Sequence, residues 1–417
     1  MLSDIIRDRR HAPKGLKRLA KQCVKLCVGS ENLRRLFFMV DRLRFPVDHP
    51  EDCRLAREPV DVLFYLDVPN RWQNIQLVVK ELSERRPDLK LAVAYSGFWD
   101  APPVDRKRVN FVNNVSIGSL YYFKTRVFYT PAINLPPLMK PPKARVVHTL
   151  VSMLSLDGVY TEHEFDRYDD ILCIGPHHID CFQDLASRRP GLRGKRLVPA
   201  GYPKLDLILS SRPSHGSRNG RSDGSVIIYA PTHTFEANPA LASLRNHGEE
   251  ILGALLEAGR RVIFRPHPYS FIIDKDRVAV EQIGRLFAGN PAFSLDTSGD
   301  YSTSYSLADV MVTDLSGTGF TFSFGFGKPT VFFAPSEAAE SGLKGIQFEA
   351  RDRIGALVRD VDALIAKVAE LCDMNMTAEI ESFRAESIFN VGKSSAYIVT
   401  CIEDIVAGCD RPEWIRL

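Results

Sequence analysis

Short apolar runs alternate with stretches of helical pattern along most of this chain, and this alternation limits the fold more than any other feature. Residues 60–68, 89–96 and 126–133 are apolar runs of strand length, and 72–86 has a helical pattern. Strands that are apolar on both faces are typical of parallel sheets, which helices cover on either side. The sequence therefore predicts an α/β fold built from βαβ units.

One break divides this pattern. Residues 210–224 (SSRPSHGSRNGRSDG) contain too few apolar side chains to build a core, which indicates a linker or an exposed loop. Strand and helix patterns resume after it, so we predict two Rossmann-like domains. The predicted segments are an arm (1–45), an N-terminal Rossmann-like domain (46–209), the linker (210–224), a C-terminal Rossmann-like domain (225–390) and a C-terminal helix (391–417), for which a return to the N-terminal domain is one option.

Positive charge is concentrated in the arm. Residues 1–45 contain twelve Lys/Arg and four Asp/Glu, a net charge of +8, whereas the whole chain carries only +3. Apolar residues are interleaved with the basic ones, as in an amphipathic helix that lies on an anionic membrane surface. The apolar stretch at 36–40 is far shorter than the roughly 20 residues that span a bilayer. A basic helix packed on its own domain is the alternative.

The cysteines and the N-terminus indicate the compartment. None of the eight cysteines forms a CxxC pair or lies at zinc-finger spacing from a histidine. Such thiols are typical of a reducing cytoplasm, and no signal peptide pattern precedes the first domain. We therefore expect a cytoplasmic protein, peripheral on the inner face of the cell membrane, with no metal and no nucleic acid as a partner.

The segment 310–333 (VMVTDLSGTGFTFSFGFGKPTVFF) carries the clearest site signal. A predicted strand ends at an aspartate, and a turn of small residues leads into a helix. Such a turn presents backbone N–H groups and two hydroxyls at a helix N-terminus, where the helix dipole favours an anion such as a diphosphate. A tight turn that needs glycine only for its backbone is the alternative. The predicted phosphate-binding residues are Asp314, Ser316, Gly317, Thr318 and Gly319.

Two further polar segments follow predicted strands. YAPTH contains Thr232, and RPHP contains Arg265 and His267. The carboxyl ends of parallel strands meet at one edge of a sheet, so we expect these residues near Ser316. The guanidinium of Arg265 offers paired donors to phosphate oxygens, and an imidazole can donate or transfer a proton near neutral pH. For His267 a purely structural role is the alternative.

The remaining candidate site residue is a histidine in the first half of the chain. His148 ends the predicted strand in VVHT. We expect it to face the phosphate site across the cleft between the two domains, where it would deprotonate an acceptor hydroxyl. A buried histidine that bonds to a backbone carbonyl is the alternative.

Four segments together resemble the CDP-glycerol glycerophosphotransferase family, whose members build teichoic-acid-like and capsular polymers. They are VVHT, AGYPKLD at 200–206, YAPTH with RPHP, and the whole of ADVMVTDLSGTGFTFSFGFGKPTVFF. The resemblance extends from about residue 140 to 335. It implies a GT-B-like fold, with an acceptor domain first and a nucleotide-donor domain second.

The resemblance also implies an activity. A phosphopolyol passes from a CDP-linked donor to an acceptor hydroxyl, and CMP leaves. The family's catalytic histidines match His148 and His267, and its phosphate-binding Asp-x-Ser-Ser stretch matches Asp314, Ser316 and Gly317. Two positions depart from the family: Thr149 stands where the family usually has glycine, and Gly317 stands where it usually has a second serine. Thr318 is then expected to supply the missing hydroxyl.

The sequence thus predicts a transferase that moves a glycerol-phosphate-like group to a membrane-associated cell-surface glycan or polymer. Its partners would be a nucleotide-linked donor, a polysaccharide or lipid-linked acceptor, and an anionic membrane surface that contacts 1–45. No cofactor is expected, because the CDP-linked donor is a substrate. Two alternatives remain open: a GT-B glycosyltransferase that uses a nucleotide sugar, and a non-catalytic membrane-binding protein.

Overall fold

The structure is a computed structural model, and it describes residues 58–96, 100, 102–113, 115, 120, 123–133, 135, 140–156, 160–161, 163–211, 224–234 and 238–417. The predicted basic arm and most of the predicted linker lie outside the described residues. Their predicted roles therefore stay predictions.

The described strands match the apolar runs of the sequence. They are β1 (Val60–Leu66), β2 (Leu91–Tyr95), β3 (Val109–Val112), β4 (Thr125–Thr130), β5 (Arg145–Thr149), β6 (Asp170–Cys173), β7 (Arg196–Pro199), β8 (Val226–Tyr229), β9 (Arg261–Phe264), β10 (Phe293–Leu295), β11 (Val310–Thr313), β12 (Thr330–Phe333), β13 (Gly355–Val358) and β14 (Ile415–Arg416).

Helices alternate with these strands. They are α1 (Gln76–Arg85), α2 (Pro176–Arg188), α3 (Pro203–Ser211), α4 (Leu244–Glu257), α5 (Asp274–Phe287), α6 (Ser302–Leu307), α7 (Gly317–Phe326), α8 (Glu337–Glu340), α9 (Ile346–Glu349), α10 (Val361–Asp373), α11 (Thr377–Ser387) and α12 (Ser394–Ala407).

The strands form two sheets, with the orders β14-β7-β6-β5-β4-β1-β2-β3 and β10-β9-β8-β11-β12-β13. Every strand pair with a described register is parallel except β14 with β7. The predicted α/β fold with two parallel sheets is confirmed. By contacts the chain divides into two compact units, Met1–Pro69 with Ser83–Val147 and Asn70–Leu82 with His148–Leu417. The predicted domain boundaries stay a prediction.

Within the second unit, α7 is the most deeply buried helix near the predicted phosphate turn. Every residue from Gly319 to Phe326 is buried, as expected for a helix that is apolar all round. Burying one phenylalanine side chain contributes about 1.5–3 kcal/mol. The helix ends at Gly327, whose φ of 68° lies in the left-handed region and whose N–H donates to Ser323. The phenylalanines thus fix α7, and with it the turn at its N-terminus.

A glycine sets the distance between α7 and β12. A Cβ atom at Gly319 would lie 2.8 Å from a ring carbon of Phe332 and 3.0 Å from the methyl group of Thr330. Both neighbours are buried, so neither can move aside easily. The helix therefore approaches the strand as closely as its backbone allows.

Helix α3 packs on α7 in the same unit. A Cβ atom at Gly325 would lie 2.8 Å from the Ile208 side chain. At the other side of α3, the carboxylate of Asp206 accepts hydrogen bonds from the Ser394 hydroxyl (3.1 Å) and the Ser395 N–H (2.9 Å), both at the start of α12. Helix α3 is thus held between α7 and α12.

We expect Gly319→Ala to lower the free energy of unfolding by about 1–3 kcal/mol, because the added methyl group overpacks the contact with Phe332. Chemical denaturation measures this. Gly253→Ala is the matched control: Gly253 also lies inside a helix, but its nearest neighbour would be 3.9 Å from the new Cβ. The free energy of unfolding of this control should equal that of the wild type or exceed it by up to about 1 kcal/mol, because alanine has a higher helix propensity than glycine. Equal stability of the two variants would contradict the tight packing.

Candidate functional site

The turn after β11 has the strand–turn–helix geometry that the sequence predicts. Ser316 is the N-cap of α7, and its hydroxyl oxygen accepts a hydrogen bond from the Thr318 N–H at 3.2 Å. The side chain of Thr318 is hydrogen-bonded to the hydroxyl of Tyr305, whose pKa burial raises to about 12. The first turn of a ten-residue helix thus carries two hydroxyls, as expected, and both have protein partners.

Asp314 ties three segments together at this turn. Its carboxylate accepts hydrogen bonds from the Thr232 N–H (2.8 Å), the Ser243 N–H (2.7 Å) and the Ser243 hydroxyl (2.8 Å). Burial raises its pKa to about 6, although these hydrogen bonds lower it. Both oxygens are therefore engaged by the protein, and Asp314 acts here by positioning the loop that contains Thr232.

Arg265 is also engaged by the protein. One terminal nitrogen of its guanidinium is 2.5 Å from the carboxylate of Asp296, and the other donates to the Ser298 carbonyl at 2.8 Å. Burial raises the pKa of Asp296, but hydrogen bonds from Ser298, Ser304 and Arg265 lower it to about 2. The charge of Arg265 is thus already balanced by a carboxylate.

His267 has a defined tautomer. Its Nδ1 accepts a hydrogen bond from the Tyr269 N–H at 3.1 Å, so the neutral ring carries its proton on Nε2. Burial, and next the nearby His233 and Lys204, lower its pKa to about 4. The ring centroids of His233 and His267 are 4.8 Å apart. At neutral pH, His267 is therefore an uncharged hydrogen-bond donor.

His148 is fully buried at the end of β5. Its ring packs on Tyr168, with 4.5 Å between centroids, and lies edge-on to Phe165 at 5.7 Å. The segment that follows it contacts the phosphate turn, because a Cβ atom at Gly317 would lie 3.1 Å from the Ser152 hydroxyl. The residues just after His148 thus lie next to the N-terminus of α7, but the imidazole itself has no exposed surface.

Lys204 is a basic residue at this site that the sequence reasoning missed. It lies in the first turn of α3, and its ammonium is 4.8 Å from the ring centroid of Tyr301. Burial, and next the charge of Arg265, lower its pKa to about 8. The only signal for it was its place inside AGYPKLD, which contributed to the family resemblance without an assigned role.

A cavity of about 620 Å³ lies elsewhere in the second unit, within the size range of small-molecule sites. Its lining includes His177, whose Nε2 is 2.8 Å from the Met153 carbonyl oxygen. Burial lowers the pKa of His177 to about 4. None of the predicted site residues lines this cavity.

In the part of the chain that the structure describes, no helix is both long enough and apolar enough to cross a bilayer. Nor does any cluster of three or more His, Cys, Asp or Glu side chains there have an arrangement that could hold a metal ion. The expected metal independence stays a prediction.

The family model for CDP-Glycerol:Poly(glycerophosphate) glycerophosphotransferase matches residues 161–404, more than half of the chain. The chain belongs to this family. It is therefore a transferase. The matched range contains Lys204, Arg265, His267 and Asp314, whereas His148 lies just before it.

Solved structures with a similar fold support the same architecture. The wall teichoic acid polymerase TagF is 16% identical, with a TM-score of 0.62 over 92% of this chain and 99% of that one. A putative UDP-N-acetylglucosamine 2-epimerase from Listeria monocytogenes is 11% identical, with a TM-score of 0.57 over 86% of this chain and 100% of that one. These similarities show the GT-B-like fold. No curated protein sequence is similar enough to be a detectable relative.

The lowered pKa of His267 predicts a pH effect on stability. Between the unperturbed value of 6.5 and about 4, the unfolded chain protonates this histidine and the folded chain does not, so stability falls as the pH falls through this window. We expect His267→Gln to lose less stability than the wild type between pH 6.5 and 4 in denaturant titrations. Parallel curves for the two proteins would contradict the lowered pKa.

Proposed function

We propose that the protein transfers a glycerol-phosphate-like group from a CDP-linked donor to a hydroxyl of a cell-surface glycan or polymer, of the teichoic-acid or capsule type. The observation that carries this proposal is the family match across the helix turn at Ser316 and the basic groups beside it. A second domain of Rossmann type suits a nucleotide, since such folds bind nucleotides at the carboxyl ends of their strands.

The donor diphosphate binds at the N-terminus of α7. Its charge is favoured there by the helix dipole and by the N–H groups that no helical carbonyl accepts. Ser316, Gly317 and Gly319 supply amides at this turn, whereas the Thr318 N–H donates to the Ser316 hydroxyl. The hydrogen bond from the Thr232 N–H to Asp314 holds Thr232 near this turn. Asp314 therefore contributes to binding by positioning, without touching the anion.

His267 and Arg265 stabilise the charge that moves to CMP. The Nε2–H of a neutral His267 donates a hydrogen bond to a phosphate oxygen, and it needs no proton uptake to do so. Arg265 is held by Asp296 and Ser298, so its side chain loses no conformational entropy when the donor binds. Both groups are fixed before the reaction begins.

His148 acts as the general base in this proposal. The acceptor oxygen attacks the β-phosphorus of the donor, the bond between that phosphorus and the CMP oxygen breaks, and the acceptor proton passes to His148. His148 is buried against Tyr168, so the proposal requires a rearrangement that exposes the ring to the acceptor.

Release of CMP from CDP-glycerol in the presence of a lipid-linked glycerol-phosphate acceptor tests this function. We expect His148→Asn and His267→Gln each to lower kcat about 100- to 10,000-fold, the usual contribution of a positioned acid or base. His163→Gln is the control, since its exposed ring pairs with Asp166 on the surface. Turnover of UDP- or GDP-sugars in place of CDP-glycerol would favour the glycosyltransferase alternative, and full activity of either variant would remove that residue's role.

The arm 1–45 holds the enzyme on the anionic inner face of the cell membrane, next to its acceptor. This part of the proposal rests on its net charge of +8 and its interleaved apolar residues. Membrane attachment would raise the rate at which enzyme and lipid-linked acceptor meet.

Vesicle flotation tests the arm. The full chain should float with vesicles that contain anionic lipid and stay behind with purely zwitterionic ones. Replacing Lys14, Lys17, Lys21 and Lys25 by Gln should weaken binding by about 1 kcal/mol per lysine, and added salt should weaken it for the wild type. Binding that ignores lipid charge, salt and these four lysines would contradict an electrostatic contact.

A further inference from the structure

The environment of Lys204 differs from that of the other basic groups near the phosphate turn. Lys204 lies on α3, which Ile208 and Asp206 fix between α7 and α12. Its position therefore follows from helix packing, and its ammonium rests over the ring of Tyr301. The position favours a cation, because an aromatic face attracts positive charge.

Among the described residues at this turn, Lys204 is a cation with no carboxylate partner. At neutral pH His267 is uncharged, and burial lowers the pKa of His233 as well. Arg265 is balanced by Asp296 at 2.5 Å. Among the described residues, no carboxylate forms an ion pair with Lys204, and burial and Arg265 both disfavour its charged form. A positive charge in such a place is completed by an anion from outside the chain.

A pair of tyrosines connects this ammonium to the helix turn. Tyr301, which lies under Lys204, packs on Tyr305 with 4.8 Å between ring centroids. The hydroxyl of Tyr305 is hydrogen-bonded to the side chain of Thr318 in the first turn of α7. The same tyrosine pair thus borders both Lys204 and the turn where the donor phosphates bind.

We propose that Lys204 binds the phosphate oxygens of the nucleotide donor and adds its positive charge to that of Arg265, which Asp296 already balances in part. This inference rests on the proposed nucleotide-linked donor. Lysine binds phosphate as a compact point charge. A dianionic or trianionic diphosphate would neutralise Lys204 and accept a hydrogen bond from His267, on which the charge of Lys204 acts. Lys204 therefore recognises the phosphates of the donor and does not contribute to recognition of its nucleobase.

Calorimetric titration of the full chain with CDP, and with cytidine as a probe without phosphate, tests this role. We expect Lys204→Met to weaken CDP binding about 10- to 100-fold, the loss of one charge-assisted hydrogen bond, and to leave cytidine binding unchanged. Lys204→Arg keeps the charge and should retain most of the affinity. Lys367→Met removes a surface lysine that pairs with Glu370, and it should match the wild type.

The melting temperature separates binding from a structural role. Burial of an unpaired charge costs stability, so Lys204→Met should melt no lower than the wild type. A variant that melts lower and loses cytidine along with CDP would overturn the proposal, because Lys204 would then only hold the fold. Unchanged CDP affinity in a stable Lys204→Met protein would overturn it equally.

A pH series gives an independent readout. The groups that the structure places against Lys204 are Arg265, His267 and Tyr301. Burial lowers the pKa of His267 to about 4 and raises the pKa of Tyr301, so neither of these two groups titrates where Lys204 does. CDP affinity should therefore fall as the pH rises through the pKa of Lys204, about 8 in the free protein, and Lys204→Arg should remove this fall. Identical pH profiles for the two proteins would overturn the assignment.

The outcomes for Lys204 and for the proposed function are separable. If the wild type binds UDP and not CDP, the CDP-linked donor is wrong, but the same variants measured with UDP still test Lys204. If it binds CDP with Lys204-dependent affinity and releases no CMP from CDP-glycerol, the site assignment holds and the reaction does not. A wild type that binds neither nucleotide nor inorganic pyrophosphate would overturn the Lys204 site as well.

Discussion

The candidate site depends on one buried carboxylate. Asp314 follows β11 and accepts three hydrogen bonds, from the loop after β8 and from the start of α4. These segments are far apart in sequence, and the carboxylate of Asp314 joins them. Burial makes the ionised form costly, which is why its pKa is raised to about 6. The three donors offset that cost, so the loops converge on the first turn of α7 without any ligand.

Local sequence determined the parts of the fold and site that could be predicted. The strand, turn and helix around Ser316 lie within 310–333, where apolar runs and small residues occur in direct succession. The two parallel sheets follow from the same short-range patterns. The family resemblance then supplied the activity, which no single residue pattern would have supported. All of this depends on neighbours in sequence.

The side-chain partners could not be predicted, because they depend on distant segments. Arg265 pairs with Asp296 and His267 turns its Nδ1 toward a backbone N–H. Both residues have the expected type and place, but their charge and tautomer follow from neighbours that only tertiary packing brings close. Lys204 belongs to a helix that precedes the predicted linker. Its contact with Tyr301 follows from the packing of α3 on α7. The hydrophobic periodicity of the sequence does not reveal which helices pack on each other.

The hydrogen bonds of Asp206 have a consequence for the end of the chain. Ser394 and Ser395 open the last helix and hold the carboxylate on α3, two residues beyond Lys204. The last helix therefore helps to fix the position of Lys204, which lies almost two hundred residues earlier in the sequence. Shortening the protein from its carboxyl end, or fusing a partner that unwinds this helix, would loosen the position of Lys204 and leave the strands β8 to β13 in place.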